Sequence, residues 1–450
     1  MSVNQFDVVI VGGGPTAAAA ALSLRQLSPG RSVALVVPEL HRPDHGESLP
    51  EQARSTLEVL GVWRRFVAMQ PRSMAWQRVG RDSGPAISSH GWHIDRARFD
   101  SMLIDAAVAT GTERLHPYRF VGGVRSDSGW YLRLRHRNKT SGRSRGVRAS
   151  IVIDATGRRA VFARRQGASR VRFDTLTATR CGFAARAGLD YVTEAVHQGW
   201  WYAAPRSSGG TVTVFLTDGD IARQLHVTSR DSYLARLSTT ELAKRLDSAP
   251  VVNGPLTWSA SAGRLDLIAD HDWLAAGDAA MTTDPIVDSG LARALEGGRR
   301  AARTAIEMLD GCTRAVAHYR RQVIEAGEQA LANRDRYYVD AGCDAEFWHR
   351  RNGEVSFSTD KLLLWSRSAH RRRLRIAMHL PINDLERLVK LCRIPRSAAS
   401  VIHAFHNEKT AGVPDQRVAR ALAYLLDEGH LKQVDAAELD AEPALQAINR

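Results

Sequence analysis

The apolar period changes several times along the chain, and each change marks an element. Residues 6–11 (FDVVIV) are a β-branched run, glycines follow at 12–14, and residues 15–26 are an alanine- and leucine-rich helical stretch. Pro29 and Gly30 break that helix before a second β-branched run at 33–37. Strand, turn, helix and strand in this order predict a βαβ unit and so a parallel sheet of the α/β class. Further on, HGWHI (90–94) alternates as a strand and leads into a helical RARFDSML, and residues 150–157 read as a strand ending in a small-residue turn. The segments 181–187, 195–205 and 211–218 predict antiparallel strands, and after Gly298 the pattern turns helical, with breaks at Pro395 and 412–414. The expected organisation is a Rossmann-type domain built from 1–85, 86–168 and 269–310, an inserted antiparallel β domain at 169–268, and a C-terminal helical region at 311–450.

A chain of 450 residues exceeds a single small module. Its net charge of +14 brings nucleic acid, an acidic protein and a membrane surface into view as partners. Only six of the 62 basic residues are lysine, however, and the arginines are spread along the whole chain, which argues for coding composition rather than a nucleic-acid patch. The densest run, Arg371, Arg372, Arg373 and Arg375, reads as a solvated helix face or a surface for a protein partner. Cys181, Cys312, Cys343 and Cys392 are too sparse for a disulfide framework and lack the spacing of a zinc site, so reduced thiols and no metal are expected. The first strand begins almost at once, with no signal peptide before it and no apolar stretch of membrane-spanning length after it, so a cytoplasmic protein is expected.

Gly12, Gly14 and Ala17 fill a G-x-G-x-x-G/A fingerprint in the strand–turn–helix setting that dinucleotide binding requires. The first glycine permits the tight turn, the second lets a pyrophosphate approach the backbone, and the small third residue lets helix pack on strand. Pro15, Thr16 and Ala17 open the helix, whose free N–H groups face the phosphates. An acidic residue is expected at the end of the second strand to bind the adenosine ribose. By spacing the position is Val37; Glu39 stands two residues later and either reaches back or leaves the ribose to another group.

Three later motifs choose the cofactor. AAGDAAMTTDPIVDSGLARALEGG (275–298) resembles the second flavin-binding motif of para-hydroxybenzoate-hydroxylase-like flavoproteins and flavin-dependent halogenases. The resemblance implies FAD, with Asp278 at the ribityl chain and Pro285, Gly290 and Leu291 in the turn and helix start under the isoalloxazine. A helix N-terminus aimed at the pyrimidine edge would stabilise the anionic reduced ring. HGWHIDRARFDSML (90–103) resembles the family segment whose arginine touches the FAD phosphate or ribityl region, which implies Arg96. SIVIDATGRRAVFARRQG (150–167) resembles the strand that meets the adenine side, with Ala155, Thr156 and Gly157 where aromatic hydroxylases carry an Asp-Gly pair linked to NAD(P)H. GESLP (46–50) resembles a segment lying against the flavin in the halogenase-like branch, placing Glu47 and Ser48 there; the same residues also read as a helix start capped by Ser48.

On the substrate side, GWWYAAP (199–205) again resembles these families. Trp200 and Trp201 are successive strand positions and point to opposite faces, so at most one lines a cavity; Trp201 is taken as the candidate, with His93 and His197 as polar groups. The resemblance implies an FAD-dependent monooxygenase whose flavin hydroperoxide attacks an electron-rich aromatic carbon. Its partners would be an aromatic small molecule or a protein-borne aromatic side chain, and NAD(P)H or a separate flavin reductase as electron donor. No catalytic side chain is assigned, because such chemistry rests on positioning, exclusion of water and stabilisation of flavin charge. A halogenase is the first rival, but halogenases use a lysine in the N-terminal part of the chain and a Trp-x-Trp-x-Ile-Pro segment, whereas Lys139 is the first lysine here. A sharper version of the monooxygenase reading is similarity to maturation flavoproteins that hydroxylate a tryptophan in a partner polypeptide. A non-catalytic protein holding FAD as a structural ligand is the rival from another class.

Overall fold

The computed structural model describes residues 4–39, 46–79, 86–136, 144–184, 191–207, 209–246, 250–287, 289–340, 345–352, 361–366, 379–407, 413 and 415–434. The basic run at 371–375, Lys139 and Cys343 lie outside them. The chain divides into two compact units, Met1–Arg170 with Leu176–Cys343, and Val171–Thr175 with Asp344–Arg450.

In the first unit, the strand Asn4–Val11 is central to a parallel sheet. It is flanked by Val33–Val36, with Val8 opposite Val33, and by Ser144–Asp154, with Val8 opposite Ile151. Glu113–Leu115 extends one side and Trp273–Ala275 the other, both in parallel register. Strands covered on both faces carry unbroken apolar runs, and Val8, Val9 and Ile10 are wholly buried. On this sheet the helices Pro15–Leu27 and Gly290–Leu309 approach each other closely. A Cβ on Gly298 would stand 2.3 Å from the Thr16 carbonyl oxygen, and one on Gly277 would stand 2.2 Å from Thr16 Oγ1. Two elements more than 250 residues apart in sequence are thereby locked at the start of the first helix.

A second sheet has eight strands in the order Val251–Ser259, Leu176–Phe183, Thr211–Asp218, Gly199–Pro205, Tyr191–Val196, Arg72–Val79, Ala86–Ile94 and Glu47–Pro50. The sequence pattern places a β domain within 169–268; the sheet instead takes three of its strands from residues 47–94, and Tyr191–Val196 pairs in parallel with Arg72–Val79. Pairing between distant segments leaves no trace in local periodicity, which is why the pattern by itself suggests an inserted domain complete within its own residues.

The expected helical region from 311 also differs in detail. The helix Ala315–Asp340 belongs to the first unit, and the second unit is mixed rather than helical. It holds a three-stranded antiparallel sheet in the order Arg396–Ser397, Leu362–Trp365, Leu431–Val434. Helices Ile382–Leu391, Ala398–Asn407 and Asp415–Asp427 bury Leu385, Leu388, Val401, Phe405 and Leu422. Among the described residues no helix is long and apolar enough to cross a membrane, and no group of side chains could hold a metal ion.

Candidate functional site

One cavity of about 1160 Å³ runs through the first unit and is lined by both glycine-bearing segments. At one end stands the turn after the first strand. Gly12 has φ +145°, and a Cβ there would lie 2.3 Å from the Ala155 carbonyl oxygen of the neighbouring strand end. Gly14 precedes the helix in an extended conformation without a side-chain cap, so the first-turn amides are available to a ligand. Gly12, Gly14, Pro15 and Thr16 line the cavity, whereas Ala17 is fully buried and does not. Its small side chain serves helix packing, the part that the third position of the fingerprint plays. Glu39 lines the cavity, and Val37 is buried outside it.

The turn at 155–157 is held by a buried carboxylate. Asp154 accepts hydrogen bonds from the Thr156 amide (2.9 Å) and hydroxyl (2.7 Å) and from the amides of Phe162 and Ala163 (2.9 and 2.8 Å). Burial pushes its pKa up, against the pull of those hydrogen bonds. Thr156 and Gly157 line the cavity.

Asp95 fixes the entry of the helix Arg96–Ala109 by accepting from the amides of Ala97 and Arg98. Arg96 then points into the cavity wall, bonded to Glu47 and to Asp100, one turn on. Burial would lower its pKa, but the two carboxylates hold it above its ordinary value. Arg98 is exposed. Glu47 and Ser48 line the cavity from the strand Glu47–Pro50; the next helix starts at Ala53, with Gln52 rather than Ser48 at its N-cap position.

At the other end, Asp278 lines the cavity with its side chain 49% exposed, 3.9 Å from Arg158. Arg170 grips the backbone of this turn through the carbonyl oxygens of Asp278 and Ala279, and burial pushes its pKa down to about 10. Pro285, Gly290 and Leu291 follow along the wall, and a Cβ on Gly290 would meet nothing within 4 Å. The helix Gly290–Leu309 has no side-chain cap at its start. Uncapped helix amides, open space beside Gly290 and an acidic residue in the wall fit an extended dinucleotide, which Gly14–Thr16 would hold at the diphosphate and Gly290 would border at the ring. Asp284 is also in the wall, buried, accepting from the Tyr338 hydroxyl (2.8 Å) and the Ile286 amide (3.0 Å). Its partner is 54 residues away, and no sequence spacing signals it.

The remaining wall is the second sheet. Trp200 and Tyr202 line the cavity together with Trp76, Tyr191 and Trp258, and the Trp76 and Tyr191 rings stack at 5.2 Å. Trp201, the candidate from the sequence, faces the other way. It is 1% exposed and packs on Phe215 and Tyr233 with ring centroids 4.7 and 5.0 Å away. Alternation tells the two tryptophans apart but not which face is inward. His93 is not in the lining; its Nδ1 meets the Tyr191 hydroxyl at 3.0 Å, so it acts behind a lining ring. His197 sits at the exposed turn between Tyr191–Val196 and Gly199–Pro205, also outside the lining.

No protein-family model matches the chain. Among known proteins it is similar to LodB of Marinomonas mediterranea, which carries the name of an FAD-dependent oxidoreductase, with 23% identity over 373 residues that cover 78% of this chain and 98% of LodB. The fold is similar to that of CmlS, a flavin-dependent halogenase, with a TM-score of 0.67, 19% identity and 97% of each chain covered. It is similar also to the peptidyl tryptophan dihydroxylase QhpG, essential for tryptophylquinone cofactor biogenesis, with a TM-score of 0.63, 20% identity, and 94% of this chain and 99% of QhpG covered.

Proposed function

We propose that this FAD-dependent oxidoreductase, of the superfamily joining para-hydroxybenzoate-hydroxylase-like flavoproteins and flavin-dependent halogenases, is a monooxygenase that hydroxylates an electron-rich aromatic group. The observation that carries the reading is the continuity of one cavity from two glycine-bearing helix starts to a wall of aromatic rings. Bound FAD would supply the two electrons and the activation of dioxygen. The chain's own part is to bind, orient and shield. Gly14 and Thr16 receive the diphosphate, Arg96 and Asp278 lie along the linking chain, and the uncapped start of Gly290–Leu309 offers partial positive charge to the ring. The aromatic wall orders a flat substrate and excludes water, which contributes through proximity rather than through an acid or base.

Hydroxylation is favoured over halogenation by the lining itself. Among the described residues no lysine lines the cavity, and Lys244 is on the exposed helix Glu241–Arg245. A tryptophan held in a partner protein is the substrate that best suits the near full-length likeness to QhpG. The test is anaerobic reduction of the FAD-loaded enzyme, mixing with labelled dioxygen, and mass spectrometry of an offered indole peptide. One labelled oxygen atom is expected in the product, at a yield unchanged by chloride or bromide. A halide-dependent product would replace this reading with the halogenase one, and bound FAD with no dioxygen consumption would leave a non-catalytic flavoprotein. Running the reduction with NAD(P)H alone and with a flavin reductase identifies the electron donor.

A further inference from the structure

Six arginines line the cavity, and two of them have acidic neighbours: Arg96 has Glu47 and Asp100, and Arg158 has Asp278. The other four, Arg119, Arg135, Arg159 and Arg165, are exposed and have no ion pair among the described residues. Arg119 and Arg135 stand directly opposite each other on the antiparallel strands Tyr118–Ser126 and Gly129–His136, which puts both side chains on one face of the hairpin. Like charges in that register repel, and an anion between them reverses the sign of the interaction. Arg165 joins them from the helix Val161–Arg165, its guanidinium 5.3 Å from the centre of the Phe120 ring, and Arg159 lies in the turn that leads into that helix. The hairpin follows Leu115, whose carbonyl oxygen accepts from the Val37 amide at the end of the second strand. These arginines therefore stand at the Gly12 and Glu39 end of the cavity. Bound FAD would carry its negative charge on the diphosphate, which Gly14–Thr16 would hold, and its adenosine is neutral. The resident cofactor leaves the four guanidinium groups without a counter-charge.

We infer that Arg119 and Arg135, with Arg159 and Arg165 beside them, bind the 2′-phosphate of NADPH, so that the enzyme takes its electrons directly from the phosphorylated nicotinamide nucleotide and discriminates against NADH. The inference rests on the reading above, in which flavin is reduced in this cavity, and adds the donor to it. A phosphate monoester carries close to two negative charges at neutral pH, and planar guanidinium forks match its oxygens in pairs. NADPH and FAD share one order of parts, adenosine, diphosphate and then the redox ring. A nucleotide anchored at its adenosine end by these arginines extends along the cavity in the direction of Gly290. There it passes two electrons and one proton to the flavin and leaves as NADP⁺. NADH has the same parts without the 2′-phosphate and leaves the facing arginines unneutralised.

The test has a binding arm and a reduction arm, both on the FAD-loaded protein. Calorimetry compares 2′,5′-ADP with 5′-AMP, which differ only in the 2′-phosphate, and anaerobic bleaching of the flavin compares NADPH with NADH. In each pair the phosphorylated member is expected to bind about tenfold more tightly at low ionic strength. The difference should narrow as salt is raised, because the arginines are exposed. The double variant Arg119→Ala/Arg135→Ala is expected to remove the difference within each pair. Equal affinities within the pairs in the unaltered protein, a comparison that needs no variant, overturn the inference, and so does an undiminished preference in the double variant. If neither nucleotide bleaches the flavin while dithionite-reduced protein still inserts labelled oxygen, the monooxygenase reading stands and this inference alone falls. Salt-sensitive reduction by a separate flavin reductase, lost in the double variant, would overturn it in favour of an acidic protein at the same arginines.

Discussion

Gly12→Ala is expected to give a protein that neither retains FAD nor reaches the stability of the unaltered chain. The added methyl would stand 2.3 Å from the Ala155 carbonyl oxygen and 2.7 Å from its carbon, and those are backbone atoms of a strand end that cannot swing aside as a side chain can. The Gly12 amide is meanwhile tied to the Val36 carbonyl oxygen at 3.0 Å, and Ala155 to Val11 at 2.9 Å, so the turn is held from both neighbouring strands. A φ of +145° adds backbone strain for any residue with a Cβ. Strain and overpacking together should cost about 2–5 kcal/mol, read by urea unfolding of the apoprotein. The contrasting substitution is Gly290→Ala, where a Cβ meets nothing within 4 Å. Its apoprotein should unfold as the unaltered one does, within about 0.5 kcal/mol, yet its FAD affinity should fall because the methyl enters the space assigned to the ring. Undiminished FAD retention by both variants would contradict the placement of the diphosphate and the ring at these two turns.

Arg96→Ala is expected to be the most damaging change of a charged residue in the cavity. The Arg96 side chain is 14% exposed and serves two acids, Glu47 at 28% and Asp100 at 4%. Its removal leaves carboxylates in a partly dry wall with no cation between them, at a cost of about 3–5 kcal/mol. FAD affinity should fall as well, by roughly 10- to 100-fold, the value of one charge-assisted hydrogen bond. Arg96→Lys keeps the charge but not the planar fork that reaches Glu47 and Asp100 together, so it should recover part of the stability and little of the affinity. Denaturant unfolding and flavin fluorescence titration of both variants measure the two effects separately. An Arg96→Ala protein as stable as the unaltered one would show that the ion pairs are screened and add nothing to stability.

Several parts of this site are legible in the amino-acid sequence alone. The fingerprint at Gly12 and Gly14, the acidic turn at Asp278 and the helix start at Gly290 are each written in adjacent residues, since turn chemistry and helix capping act over a few positions. Glu39 is within reach of the same reasoning, but its role depends on how the chain leaves the second strand. The choice between Trp200 and Trp201 is not legible. Both satisfy the same alternation, and the inward face is set by strands at 176–183, 211–218 and 251–259 that the local pattern does not connect. Trp76, Tyr191 and Trp258 reach the same wall from three separate segments, and His93, attractive as a lone strand histidine, supports Tyr191 from behind.

What the amino-acid order determined by itself was the βαβ start and the two glycine-bearing helix entrances, because each depends on steric and hydrogen-bonding demands between near neighbours; the preference for FAD came from the resemblance of the later motifs to known flavoproteins. Only the tertiary structure decided that residues 47–94 complete the second sheet, that Asp284 is held by Tyr338, and that Trp200 rather than Trp201 faces the cavity. Those outcomes come from pairing and packing between segments far apart in the chain, and a period of two residues is the same on either face of a strand.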